Sequence, residues 1–252
     1  MQSIIINIGN TNIRFGLFND EKCDISWVLN TKPYKTTDEL YMSILMLYQT
    51  YGIEIQNIER IVIGSVVPQL TKVVEAAIQK IHQKSPTIVD RNTKSEVIPK
   101  SKQMGTDIYA NLVAAHCLYP DRKKIILDFG TALTASCIDE NGETLGVIIA
   151  PGIITALNSL IRQTAQLPEI ELVQPQSVLG LDTVTCMQSG MIYGYLGMVE
   201  GFISRINSEV NDRCFVIATG GVAHIYTPLT DRINISDRLH TLKGLYYLGR
   251  GK

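Results

Sequence analysis

Ile4-Ile5-Ile6-Asn7-Ile8-Gly9-Asn10-Thr11-Asn12-Ile13-Arg14-Phe15-Gly16-Leu17-Phe18 decides how the rest of the chain is read. An apolar run enters a polar, glycine-bearing tetrapeptide and leaves as an alternating strand. That pattern predicts a β-hairpin with a turn small enough for something to approach its backbone. Gly9 supplies the freedom, and Asn10, Thr11 and Asn12 supply amide and hydroxyl groups of the kind that suit phosphate oxygens. A plain polar turn would account for one such tetrapeptide. The chain, however, repeats it: Ile126-Leu127-Asp128-Phe129-Gly130-Thr131-Ala132 follows the same order of apolar, Asn or Asp, apolar, Gly and polar residues. Recurrence at about half the chain length points to a duplicated domain, not a short-repeat array. Two such turns could clamp a phosphate chain between two lobes.

Working outward, Ile25–Leu29 reads as a third strand. Thr36-Thr37-Asp38-Glu39 reads as a helix N-terminus, with hydroxyl and carboxylate acceptors for the first N–H groups. An apolar strand from Ile58 ends in the turn Ser65-Val66-Val67-Pro68, and a helix at 69–82 and a strand at 87–90 follow. Residues 91–104 are polar, carry Pro99 and read as an exposed loop, of a length that is often functional or mobile. Gly105-Thr106-Asp107 then opens an amphipathic helix, which Tyr119-Pro120-Asp121 stops. The boundary is placed there, giving lobes 1–118 and 119–252. The second half adds a strand into Ala150-Pro151-Gly152, a helix at 153–163 and a long helix from Asp182-Thr183. Its Met and aromatic stripe reads as core or subunit interface. A strand at 214–219 then runs into Gly220-Gly221, shaped to let a flat ligand lie on the backbone. Alternating strands and helices make this an α/β protein.

Composition narrows the function. The 252 residues are 45% hydrophobic and 19% charged, with formal net charge −1, an ordinary globular balance. That charge argues against a general nucleic-acid partner. No apolar run reaches the roughly 18–20 residues of a membrane span, and no leader pattern follows Met1, so no membrane partner is expected and the cytoplasm is the expected compartment. Five cysteines (Cys23, Cys117, Cys137, Cys186, Cys214) are scattered without a C-x-x-C pair, which suggests single thiols, and the four histidines show no metal-ligand spacing. Asp128-Phe129-Gly130 matches the metal motif of protein kinases, but none of that family's other signatures precedes it.

Taken in order, the glycine turns resemble the acetate and sugar kinase/Hsp70/actin superfamily. N-I-G-N-T at 7–11, S-V-V-P at 65–68, G-T-D at 105–107, D-F-G-T-A-x-T at 128–134, A-P-G at 150–152, T-A-Q-L-P at 164–168, S-G-M-I-Y-G at 189–194 and T-G-G-V-A at 219–223 resemble, more narrowly, type III pantothenate kinases. The resemblance spans essentially the whole chain. It implies duplicated two-lobed, ribonuclease H-like α/β domains with the site in the cleft between them. It also implies ATP-dependent phosphorylation of pantothenate to 4'-phosphopantothenate, the first step of coenzyme A biosynthesis, by a homodimer using Mg²⁺ and a monovalent cation, potassium or ammonium. Carried over by position, Asn7, Ile8, Gly9, Asn10, Thr11, Asn12, Ile13, Arg14 and Thr131 would meet ATP. Ile98, Gly105, Thr106, Asp107, Ile108 and Thr183 would meet pantothenate, with Asp107 as proton acceptor and Asp128 as cation ligand. The chemistry agrees, because an alcohol needs a carboxylate to orient it and take its proton. On spacing alone, Asp107 is equally well a first-turn helix cap, and Asp128 a turn carboxylate.

The chain departs from that family at four places. Asn7 stands where the family has Asp, Ile108 where it has Arg and Ile98 where it has Tyr, while Val147 replaces a glycine. Asn7 lacks the charge that would help hold hydrated Mg²⁺, and Ile108 cannot pair with the carboxylate of pantothenate. Lys100, Lys102 and Arg162 are the cations that could take that place. Besides the kinase, two alternatives therefore stand: a non-catalytic or weakened relative that binds or regulates, and a kinase for another small alcohol.

Overall fold

The computed structural model describes residues 1–101 and 103–251; Lys102 lies outside them. The chain forms two units, Met1–Leu118 joined by the segment from Leu239 onward, and Tyr119–Arg238.

In the first unit, β1 (Gln2–Ile8) and β2 (Asn12–Asn19) form the expected antiparallel hairpin, with Asn7 opposite Arg14 and Ile8 opposite Ile13. β3 (Lys22–Asn30) extends it on one side, and β4 (Ile58–Ser65) and β5 (Thr87–Val89) add parallel strands on the other, in the order β3-β2-β1-β4-β5. β1 is apolar at successive positions because both of its faces are covered. One face, with Ile4, Ile6, Ile8, Ile13, Phe15 and Ile63, packs on α1 (Thr37–Tyr51) and α2 (Pro68–His82) through Ile44, Val74 and Ile78. α1 starts where its sequence says it should, in a capping box: Glu39 N–H donates to Thr36 Oγ1 (3.3 Å), and Thr36 N–H to Glu39 Oε2 (2.7 Å).

The other face is closed by α3 (Thr106–Leu118) and by a helix from the end of the chain (His240–Leu248). This corrects the sequence division, which gave 239–252 to the second half. Leu242, Leu245 and Leu248 are buried, and the ring of Tyr246 stacks on Phe18 with centroids 5.0 Å apart. Burying each leucine contributes about 1.5–3 kcal/mol, so the segment goes to the sheet face that would otherwise stand open. No local periodicity tells which sheet an amphipathic helix will cover.

The second unit repeats the plan. β6 (Lys124–Phe129), β7 (Ala132–Ile138) and β8 (Thr144–Pro151) form an antiparallel meander, while β9 (Phe215–Gly220) and β10 (Ile235–Ser236) add parallel strands, in the order β8-β7-β6-β9-β10. Matched to the first unit, β1 corresponds to β6 and β4 to β9, and Asn7 falls on Asp128. Asn7 lies between Arg14 and Gly64, and Asp128 between Thr134 and Thr219. α4 (Ile153–Gln163) and α5 (Thr183–Glu209) follow β8 in the chain. Val147 pairs with Ser136 inside β8, away from any turn, so a β-branched residue suits that position. No helix among the described residues is long and apolar enough to cross a membrane.

Candidate functional site

In the first unit the Gly9–Asn12 turn and the start of α3 lie at the C-terminal ends of the parallel strands β1 and β4, the usual ligand-binding end of an α/β sheet. The Gly9–Asn12 turn is closed by Gly9 N–H donating to the Asn12 carbonyl at 2.9 Å. Thr31, which the sequence did not single out, fastens it from β3's far end: its hydroxyl donates to the Gly9 carbonyl (2.6 Å) and its N–H to the Thr11 carbonyl (2.9 Å). Asn10 and Thr11 are exposed, whereas Ile8 and Ile13 are buried core residues. Those two can therefore reach a ligand only through their backbone. Beside this turn, Val66 N–H donates to the Ile8 carbonyl (3.0 Å), and Ser65 Oγ accepts from Val67 N–H (3.0 Å) and from the Thr71 hydroxyl (2.8 Å).

α3 begins against the same edge. Asp107 is partly exposed and its Oδ1 accepts from Ile108 N–H at 2.8 Å. A Cβ on Gly105 would come within 2.6 Å of that oxygen, so glycine is what lets the carboxylate fold back over the helix start. Burial raises the Asp107 carboxyl above its ordinary range, against the opposing pull of its backbone hydrogen bonds. The side chain is thus both a local N–H acceptor and a carboxylate of raised basicity, and the two descriptions anticipated from sequence coexist. Thr106 is buried, while Ile98 is 56% exposed. Lys100 and Arg162 are exposed on separate units, and Lys102 falls outside the described residues.

In the second unit three glycine turns converge. The β6–β7 loop is one residue shorter than its counterpart: Phe129 faces Leu133, and Gly130 N–H donates to the Ala132 carbonyl at 3.2 Å. Gly152 packs on the backbone of Gly130 and Thr131, its N–H reaching the Thr131 carbonyl (3.1 Å), which also accepts from the Thr155 hydroxyl (2.7 Å). Gly220 adopts φ +98°, and a Cβ there would lie 2.6 Å from the backbone of Phe129. Thr131 is exposed beside these turns and Asp128 is partly buried at the end of β6. Thr183 opens α5, exposed, one residue after the capping Asp182.

Duplicated five-stranded sheets with glycine turns at the strand ends define the actin, Hsp70 and sugar-kinase class of fold. In agreement, the chain superposes with TM-score 0.54 on the activator of 2-hydroxyisocaproyl-CoA dehydratase from Clostridium difficile, at 14% identity over 100% of this chain and 96% of that one. Within the class the family is narrower. The type III pantothenate kinase family model matches residues 3–205. Type III pantothenate kinases of Moorella thermoacetica and Finegoldia magna are each 37% identical, over 96% of this chain and 96% and 94% of theirs. The chain belongs to the type III pantothenate kinase family.

Proposed function

We propose that the protein transfers the γ-phosphoryl group of ATP to the primary hydroxyl of pantothenate. The observation that carries this, beside family membership, is Asp107: a carboxylate of raised basicity fixed at the start of α3 and beside the strand ends where the Gly9–Asn12 turn lies. Asp107 orients the hydroxyl and takes its proton as the new P–O bond forms. The turn at Asn7–Arg14 and Thr131 with its neighbouring glycine turns offer N–H and hydroxyl donors to the phosphates. Gly105, Thr106, Ile108, Ile98 and Thr183 are assigned to pantothenate.

The donors suit hard cations. Among the described residues no group of three His, Cys, Asp or Glu side chains could hold a metal by itself. Asp128, flanked in register by Thr134 and Thr219, is an all-oxygen set suited to a monovalent cation such as potassium or ammonium. Mg²⁺ fits as an ion brought in by the phosphates, and when bound it supplies neutralisation of their charge. A homodimer is supported by segment 178–184. Ser189 donates to the Val178 carbonyl and holds the segment on α5, yet Val178, Leu179, Leu181 and Val184 are 60%, 79%, 99% and 40% exposed.

The test is ADP release coupled to NADH oxidation, with pantothenate, ATP, Mg²⁺ and potassium, and mass detection of 4'-phosphopantothenate. Pantothenate-dependent turnover supports the assignment. ATP binding without turnover would replace it with a non-catalytic relative, and turnover only with an uncharged alcohol would replace the substrate.

A further inference from the structure

We propose that Tyr109 is a positioning residue for the acceptor substrate, its hydroxyl tying segment 93–97 to α3 so that Ile98 and Asp107 are presented together. The sequence reads 91–104 as an exposed loop, but Val97 and Met104 are buried, 3% and 6% exposed. Tyr109, two residues beyond Asp107 and 1% exposed, holds the part of the segment around Val97. Its hydroxyl donates to the Thr93 carbonyl at 3.0 Å and lies 2.8 Å from Ser95 Oγ. Ser95 Oγ in turn accepts from Val97 N–H at 3.0 Å. With Ser95 donating to the phenol oxygen, every proton in this chain of bonds has an acceptor, and the Val97 carbonyl lies 3.5 Å from the same phenol oxygen. A second tie lies two helical turns further along the same face of α3, where His116 Nε2 is 3.7 Å from Glu96 Oε2. Val97 points inward, and the next residue, Ile98, is left at the surface.

Segment 93–97 lies outside any strand or helix, and Ile98 adds only an isolated β-bridge. Ordering such backbone costs conformational entropy. If that cost is met in the free enzyme, binding need not meet it. The Tyr109 hydroxyl therefore acts on capture of the acceptor and leaves the nucleotide turns alone. The inference rests on the assignment of Ile98, Thr106 and Ile108 to pantothenate.

Tyr109→Phe removes the hydroxyl and keeps the buried ring; Ser95→Ala cuts the same chain of bonds from the loop side and serves should the first variant fold poorly. Losing one such bond, roughly 1–2 kcal/mol, corresponds to about a 5- to 30-fold rise in KM for pantothenate. KM for ATP and kcat should stay within about 2-fold, and amide hydrogen exchange should quicken at 94–98. An unchanged KM for pantothenate, or a parallel loss in both KM values and kcat, overturns the proposal. Ile98→Ala separates the two layers. If it shifts KM for pantothenate while Tyr109→Phe does not, only the anchoring is wrong; if neither variant does, the assignment of the acceptor site falls with it.

Discussion

Replacing Asp107 by Asn probes the site at its most informative atom. Asn keeps the size of the side chain and an oxygen able to accept from Ile108 N–H, so the start of α3 is retained. What it loses is the ability to take a proton. A positioned general base contributes about 10²- to 10⁴-fold, so kcat should fall by that factor, equivalent to roughly 3–5 kcal/mol. KM for ATP should hold, because no turn assigned to the nucleotide is altered. Stability should move the other way. The Asp107 carboxyl is raised in the folded protein by burial, so its favourable contribution is present below the unfolded pKa and lost as pH rises through the folded one. Asp107→Asn should therefore melt no lower than wild type at neutral pH, and its relative advantage should shrink as pH falls into the carboxylate range. Wild-type kcat/KM should have an acidic limb with an apparent pKa above the ordinary aspartate value, and the variant's residual activity should lack it. The measurements are coupled ADP release and thermal melts over the same pH series. Turnover undiminished in Asp107→Asn, with the acidic limb intact, would refute the assignment of the base.

Gly220→Ala should cost on the order of 1–3 kcal/mol in urea unfolding, because φ +98° and a Cβ 2.6 Å from the Phe129 backbone strain any side chain there; unchanged stability would show that the turn relaxes freely. His82 is pushed down to about 4 by burial, with Lys84 adding, and its Nε2 lies 3.1 Å from the Tyr48 hydroxyl. The neutral ring's stability should be complete above about pH 6.5 and lost as pH falls towards its folded pKa, roughly 2–3 kcal/mol between pH 7 and 4.5. His82→Gln should flatten that part of the urea-unfolding pH profile, and an equal decline in both proteins would reject it. Leu181→Asp, at a side chain 99% exposed, should leave melting unchanged and shift a dimer towards monomer in light scattering; an unmoved mass would place any dimer contact elsewhere.

Much of this architecture is legible in the chain because the decisive signals are local. Period-2 alternation and glycine turns give both hairpins, and Thr36 with Glu39 marks a helix start that forms as a capping box. The pairing of Asn7 with Asp128 could be read because duplication preserves register as well as composition. What could not be read depends on long-range contact. Thr31 clamps the Gly9 turn across 22 residues, with no pattern of its own to announce it. Tyr109 looks like one more apolar position of α3 until its hydroxyl is found on segment 93–97. The terminal helix carries an apolar face that either sheet could have covered.

The duplicated plan also sharpens what the departures mean. Asn7 and Asp128 occupy equivalent places, each near the C-terminal end of the first strand of its sheet, yet one is neutral and the other a carboxylate. An amide offers both a donor and an acceptor but no charge, whereas a carboxylate can hold a cation. Under the proposed function the chain's own ligation of a cation is thereby weighted towards the second unit, while the Asn7 turn meets phosphate by hydrogen bonding. Ile108 follows the same logic on the acceptor side. An aliphatic side chain gives a substrate carboxylate no ionic partner, and losing a charged hydrogen bond costs roughly 1.5–3 kcal/mol. If Ile108 meets the substrate as proposed, the burden of its capture falls on preorganisation of the surrounding surface. Under the same proposal the buried bonds around Tyr109 supply a structural route to it, and an acceptor site without an ionic partner at Ile108 selects through shape.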